Sequence, residues 1–135
     1  HRGIAYLRTT RGDTPVIYDI NEKFPIGGSK VVRQSNEDQV TLIAAGITLH
    51  EALRAHQQLK EHGIATRVID LYSIKPLDHA TVRQADHATA VNCLAVRKQP
   101  LSGSPEKQLD LQGISADAIV DAVMRFVKHD SGASD

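Results

Sequence analysis

Val40-Thr41-Leu42-Ile43-Ala44-Ala45-Gly46-Ile47-Thr48-Leu49-His50-Glu51-Ala52-Leu53, followed downstream by Ala65-Thr66-Arg67-Val68-Ile69-Asp70-Leu71, decides the fold. Val40 to Ala45 is nearly all apolar, as a strand covered on both faces should be. Thr48 with Glu51 three residues on has the form of a capping box: the threonine accepts from a free first-turn N–H and the glutamate reaches back. Leu49, Ala52, Leu53, His56 and Leu59 then share one helical face. Gly63 supplies the left-handed stop. Val68, Ile69 and Leu71 mark a second buried strand. Strand, capped helix and strand make a βαβ unit, whose crossover is expected to be right-handed.

Upstream, Lys30-Val31-Val32-Arg33-Gln34 predicts an edge strand. Ser35 to Asp38 supplies a turn, so that Val40–Ala45 runs back beside the edge strand as an antiparallel, central neighbour. Before Lys30 the pattern differs. Gly3-Ile4-Ala5-Tyr6-Leu7 reads as a short strand, Arg8 to Thr14 as a polar loop and Pro15 to Ile20 as an extended piece, with no helix between. Residues 1–25 are therefore expected to be the end of a preceding domain and a linker. Downstream, Asp78 is placed to cap a helix with Val82 facing inward. Val91 to Val96 predicts another buried strand, which would hold Cys93. Ser104-Pro105-Glu106 opens a short helix that stops near Gly113. Ser115 caps a last helix with the stripe Ile119, Val120, Val123 and Val127. The expectation for residues 26–135 is an α/β, three-layer αβα domain with a small mixed, mostly parallel sheet. The tail from Asp130 to Asp135 is expected to fray.

Composition narrows the function classes. In 135 residues, sixteen Lys plus Arg balance sixteen Asp plus Glu, so the formal net charge is zero. That argues against a nucleic-acid or membrane-surface partner, which normally meets a basic excess. Aromatics are 4% and tryptophan is absent, so base-stacking platforms are not expected. The longest uncharged apolar run, Val40 to Leu49, is half a membrane span. The single cysteine, Cys93, excludes an intrachain disulfide and fits a reducing, cytoplasmic compartment.

Candidate sites are sparse. Arg8 and Arg11 lie in a loop after a predicted strand end, and a guanidinium offers a fork suited to phosphate or carboxylate. Solvated surface arginines are the plainer reading of such a loop. Gly46-Ile47-Thr48 opens a helix, where an anion can sit, but the capping box already uses those donors. His50, His56 and His62 are six apart, which turns a helix by about 240° and scatters the rings. A metal site is not expected from them, and His56 reads as a partly buried packing residue. A buried Cys93 would be inert. Gly12-Asp13-Thr14 lacks the second glycine of the Gly-Asp-Gly start that holds magnesium in diphosphate-thiamine enzymes. No Asn-Asn pair follows it either. Nothing here builds a complete active site.

Taken in order, Gly3 to Arg11, Asp38 to Leu53 and Arg67 to Asp78 resemble the C-terminal domain of transketolase and the end of the pyrimidine-binding domain before it, in the animal-like branch. Leu94-Ala95-Val96, Ser102 to Glu106 and Gly113-Ile114 match as well. The resemblance implies ketol transfer from a ketose phosphate to an aldose phosphate, with thiamine diphosphate and magnesium or another divalent cation. It implies a homodimer whose cofactor sits between two other domains, from opposite subunits. Arg11 matches the position of the family's substrate-phosphate arginine. No catalytic, cofactor-binding or metal-binding residue is expected in this stretch, and the fragment alone is expected to be inactive. Two alternatives stay open: an assembly module of a split thiamine-dependent enzyme, and the C-terminal domain of a 2-oxo-acid dehydrogenase β subunit.

One departure stands out. The family normally has a strand, an acidic-His turn, a glycine-rich turn and a helix between the Asp78 helix and the Leu94 strand. Here His87-Ala88-Thr89-Ala90 runs straight into Val91. About thirty residues are missing near 89–92, about one βα unit. Either they are truly deleted, or the sequence joins two pieces of a longer chain. A true deletion would remove a strand from inside the sheet, which favours the second explanation.

Overall fold

A computed structural model describes residues 2–7, 9, 12–84, 91–97, 99 and 102–131. The elements are β1 (Lys30–Arg33), β2 (Val40–Ala44), α1 (Ile47–Glu61), β3 (Thr66–Asp70), α2 (His79–Gln84), α3 (Pro105–Leu111) and α4 (Ala116–Ser131). The α/β class with a small mixed sheet is as expected.

The strand order corrects one expectation. β3, not β2, is central: the sheet runs β1-β3-β2. β1 pairs antiparallel with β3, and β2 pairs parallel with β3 from Val40 opposite Thr66 to Ala44 opposite Asp70. The middle position goes to the strand with most to bury. Val68 and Ile69 point to opposite faces and keep 0% and 1% exposure, whereas Ile43 on β2 keeps 42%.

Helix α1 joins the two parallel strands and packs against both, with α4 laid against α1. Leu49, Ala52 and Val68 form one core cluster, flanked by Val32, Leu42, Ala44, Leu53 and Ile119. Leu59, Ile64 and Val123 form a second, flanked by Val40, Val120 and Val127. The predicted stripes of both helices are thus the buried ones. Gly63 takes φ 75°, as its stop role requires.

The capping box does not form. Gly46 is the N-cap of α1, at φ 58° and ψ −130°, and no side chain caps the helix. The Thr48 hydroxyl donates to the Ala45 carbonyl at 2.9 Å. Glu51 turns away from its own helix start: its Oε2 accepts from the Ala116 N–H at 2.9 Å, and Oε1 pairs with Arg54. The first turn of α4 has N–H groups of its own to satisfy, and packing α4 on α1 brings them to Glu51, which is 2% exposed.

Two predicted strands are absent. Residues 3–7 are irregular, with Ile4, Tyr6 and Leu7 at least 88% exposed. Residues 91–97 are irregular too, Val91 is 89% exposed, and Cys93 is exposed rather than buried. An apolar run becomes a strand only beside an edge that takes its backbone hydrogen bonds, and neither segment has one. Thr89 and Ala90, at the proposed junction, lie outside the described residues. The helix caps at Asp78, Ser104 and Ser115 are as predicted: each side chain accepts from the backbone N–H three residues on, at 3.0, 3.5 and 3.4 Å.

Candidate functional site

In open α/β sheets, ligands bind beyond the carboxyl ends of the parallel strands. Here those ends are Ala44 and Asp70, followed by the Gly46 turn and by Leu71-Tyr72-Ser73. Residues 17–29 lie across the β3 side of this end. They form no helix or strand, yet they are tied down repeatedly.

Ile17 packs on the Leu49–Val68 cluster. The Tyr18 hydroxyl donates to Asp70 Oδ2 at 2.7 Å, and Asp70 is 4% exposed. Phe24 meets Tyr18 and Tyr72 edge to face, with centroids 4.9 and 5.0 Å apart. Lys30 Nζ lies 5.4 Å from the Tyr18 ring centre and 4.7 Å from that of Phe24, and also pairs with Glu22. Such cation–π geometry is favourable where partly desolvated. The Gly27 N–H donates to the Ser73 hydroxyl at 2.9 Å, and the Tyr72 hydroxyl to the Pro25 carbonyl at 3.2 Å. A side chain at Gly28 would collide with the Tyr72 hydroxyl. Burial, together with the hydrogen bond to the Asp70 carboxylate and its charge, pushes the Tyr18 phenol well above the usual tyrosine range.

Farther along, Ser29 donates to Asp78 Oδ2 at 2.8 Å, and the Thr81 N–H and hydroxyl bind the same carboxylate at 3.0 and 2.7 Å. These donors, the Thr81 N–H foremost, hold the Asp78 carboxyl down to about 2.

Three of the five aromatic residues thus meet in one place. Composition showed that aromatics are scarce. It gave no hint that Tyr18, Phe24 and Tyr72 converge, because 54 residues of chain separate the first from the last.

The sequence candidates fare unevenly. Arg8 and Arg11 lie outside the described residues; Thr9 and Asp13 beside them are exposed. His56 is half-buried, with Nδ1 2.7 Å from the Thr66 hydroxyl, a packing role as expected. Among the described residues no three His, Cys, Asp or Glu side chains converge on a metal position, and no helix is long and apolar enough to cross a membrane. A groove of about 380 Å³ between α1 and α4 is lined by Gln58, Glu61, His62, Asp117, Val120 and Asp121. Its three carboxylates would repel a phosphate ester.

Residues 29–91 match the family profile described as transketolase, C-terminal domain. Transketolase-like protein 2 of Mus musculus is 43% identical over 152 residues, spanning 90% of this chain and 24% of that protein. Transketolase of Homo sapiens is 38% identical over 156 residues, spanning 93% of this chain and 25% of the relative. The chain therefore covers about a quarter of the length of these relatives. Both alignments are longer than the chain, so the relatives carry residues it lacks. Among solved structures, a split-gene transketolase described as an inactive β4 tetramer superposes with a TM-score of 0.70 at 23% identity, over 82% of this chain and 46% of that one. A Pichia stipitis transketolase mutant in complex with xylulose 5-phosphate gives 0.65 at 14% identity, over 78% and 19%. At these identities the superpositions establish the fold.

Proposed function

Because residues 29–91 belong to the transketolase C-terminal domain family, we propose that this chain is the C-terminal part of a transketolase. The parent would transfer a two-carbon ketol unit from a ketose phosphate to an aldose phosphate. The observation that carries this reading is the 38% to 43% identity to transketolase and transketolase-like proteins over nine-tenths of the chain.

Thiamine diphosphate with a divalent cation would supply the carbanion chemistry in the parent. The described residues do not fit that group: no carboxylate or imidazole cluster could hold its cation, and Gly12-Asp13-Thr14 is an incomplete version of the diphosphate motif. The cofactor is therefore assigned to other domains of the parent, working as a cytoplasmic homodimer. Arg11 is assigned to the substrate phosphate because of its resemblance to the family's phosphate-binding arginine, and a guanidinium can bind two phosphate oxygens at once. The excess length of the alignments supports a missing segment of about one βα unit near 89–92.

Kinetics of the parent enzyme test this reading. Arg11→Ala should raise KM for phosphorylated sugars, by about tenfold for the loss of a charged hydrogen bond, and leave unphosphorylated acceptors nearly unchanged. Equal effects on both would make Arg11 structural. A parent without ketol transfer or thiamine binding would end the proposal.

The split-gene neighbour favours one second reading, in which this chain completes a separate thiamine-binding subunit. Intact mass of the parent decides: a polypeptide several times longer supports the first reading, and co-purification with a distinct thiamine-binding chain supports the second.

A further inference from the structure

Residues 17–29 and the connection from β3 to α2, residues 71–78, are neither helix nor strand, yet they run side by side in the same direction. Their contacts rise in step along both. Tyr18 donates to Asp70 at the end of β3, and Phe24 packs on Tyr72. The Tyr72 hydroxyl donates to the Pro25 carbonyl, the Gly27 N–H donates to Ser73, and Ser29 donates to Asp78. The Ser73 hydroxyl that accepts from Gly27 donates in turn to the Pro76 carbonyl at 2.9 Å, so a bond entering the connection continues as one inside it. The fastening begins abruptly: Val16 is 91% exposed, whereas Ile17 packs on the core. Ordering irregular backbone costs entropy. No helix or sheet ladder offsets that cost here, and each segment takes its ties from the other.

We propose that residues 17–29 are a strap that sets the shape of the connection at the carboxyl end of β3. Strap and connection open and close as one cooperative unit, with Tyr18–Asp70 and Ser29–Asp78 as the end fastenings. A hydroxyl on a carboxylate suits an end fastening, because such bonds are directional and stronger than neutral ones. Between the ends, Phe24 stands edge to face with both Tyr18 and Tyr72. Gly28 admits so close an approach that a side chain there would collide with the Tyr72 hydroxyl. Losing either end removes the alignment on which the middle contacts depend, so opening spreads along both segments instead of stopping at the broken bond. The connection lies where open α/β sheets take ligands, and a displacement of the chain upstream of Ile17 reaches it through the strap.

Chymotrypsin tests this on the full-length parent, because the Tyr18–Asp19 bond lies in the strap and the Tyr72–Ser73 bond in the connection. When opening is fast relative to cleavage, the rate at each bond reports the open population. Ser29→Ala removes the far fastening and leaves both cleavage sites intact. Mass spectrometry should show cleavage after Tyr18 and after Tyr72 rising by the same factor, about three- to tenfold for one hydrogen bond to a charged group. Tyr18→Phe should raise cleavage after Tyr72 by a similar factor. Lys23→Ala, an exposed change in the strap, should stay within twofold of wild type at both bonds. Amide exchange in α1 should be unchanged in every variant. Acceleration after Tyr18 alone, after Tyr72 alone or after neither in Ser29→Ala overturns the inference, and so does an equal quickening of exchange in α1, which would make the opening global. These readouts need no activity, so a parent without ketol transfer would end the functional reading and leave the strap standing.

Discussion

Asp78 accepts three hydrogen bonds, two from Thr81 in its own helix start and one from Ser29, 49 residues earlier. Folding lowers its carboxyl from the ordinary 3.8 to about 2. A carboxylate with a depressed folded value stabilises the native state fully above the unfolded value, and that share is lost as pH falls toward the folded one. Between pH 4 and 2, then, Asp78→Asn should flatten the acid decline of the thermal midpoint relative to wild type. Parallel declines would show that the carboxylate does no such work. The cap itself was legible from Leu77-Asp78-His79, since an N-cap acts on neighbours in sequence. The Ser29 bond was not, because it joins two turns brought together by β1 and β3 pairing.

At the scale of elements, the two ends of α1 differ in how local they are. Its stop at Gly63 follows from a conformation that glycine adopts freely. Its start uses Gly46, and the glutamate suited to capping it serves α4 instead. Glu51→Ala would leave the buried Ala116 N–H without its acceptor, at a cost of about 1–3 kcal/mol. Glu51→Gln retains an acceptor and should cost less. Urea unfolding of the two variants checks the order, and equal losses would mean that the Ala116 bond contributes little. Strand order has the same character. Hydrophobic runs identified β2 and β3, but both read as buried, and only assembly showed which had neighbours on both sides.

Across the whole molecule, apolar surface is unevenly covered. Ile4, Tyr6, Leu7, Val16 and Ile20 are each at least 88% exposed, and Val91 and Val96 are exposed as well. Such exposure marks surfaces that usually meet another domain or chain. If residues 1–25 close a preceding domain, the isolated chain should bind a hydrophobicity-sensitive dye several-fold more strongly, per mole, than the parent does. Equal binding would contradict that boundary.

What the amino-acid order determined by itself was everything set by near neighbours: the βαβ unit, the glycine stop, three helix caps and the apolar stripes of α1 and α4. Periodicity and capping act over a few residues, so they are readable in one dimension. The tertiary structure alone decided that β3 is central, that Glu51 serves α4, and that Tyr18 finds Asp70. Each joins residues far apart in the chain, where the choice of partner depends on which surfaces can be buried together.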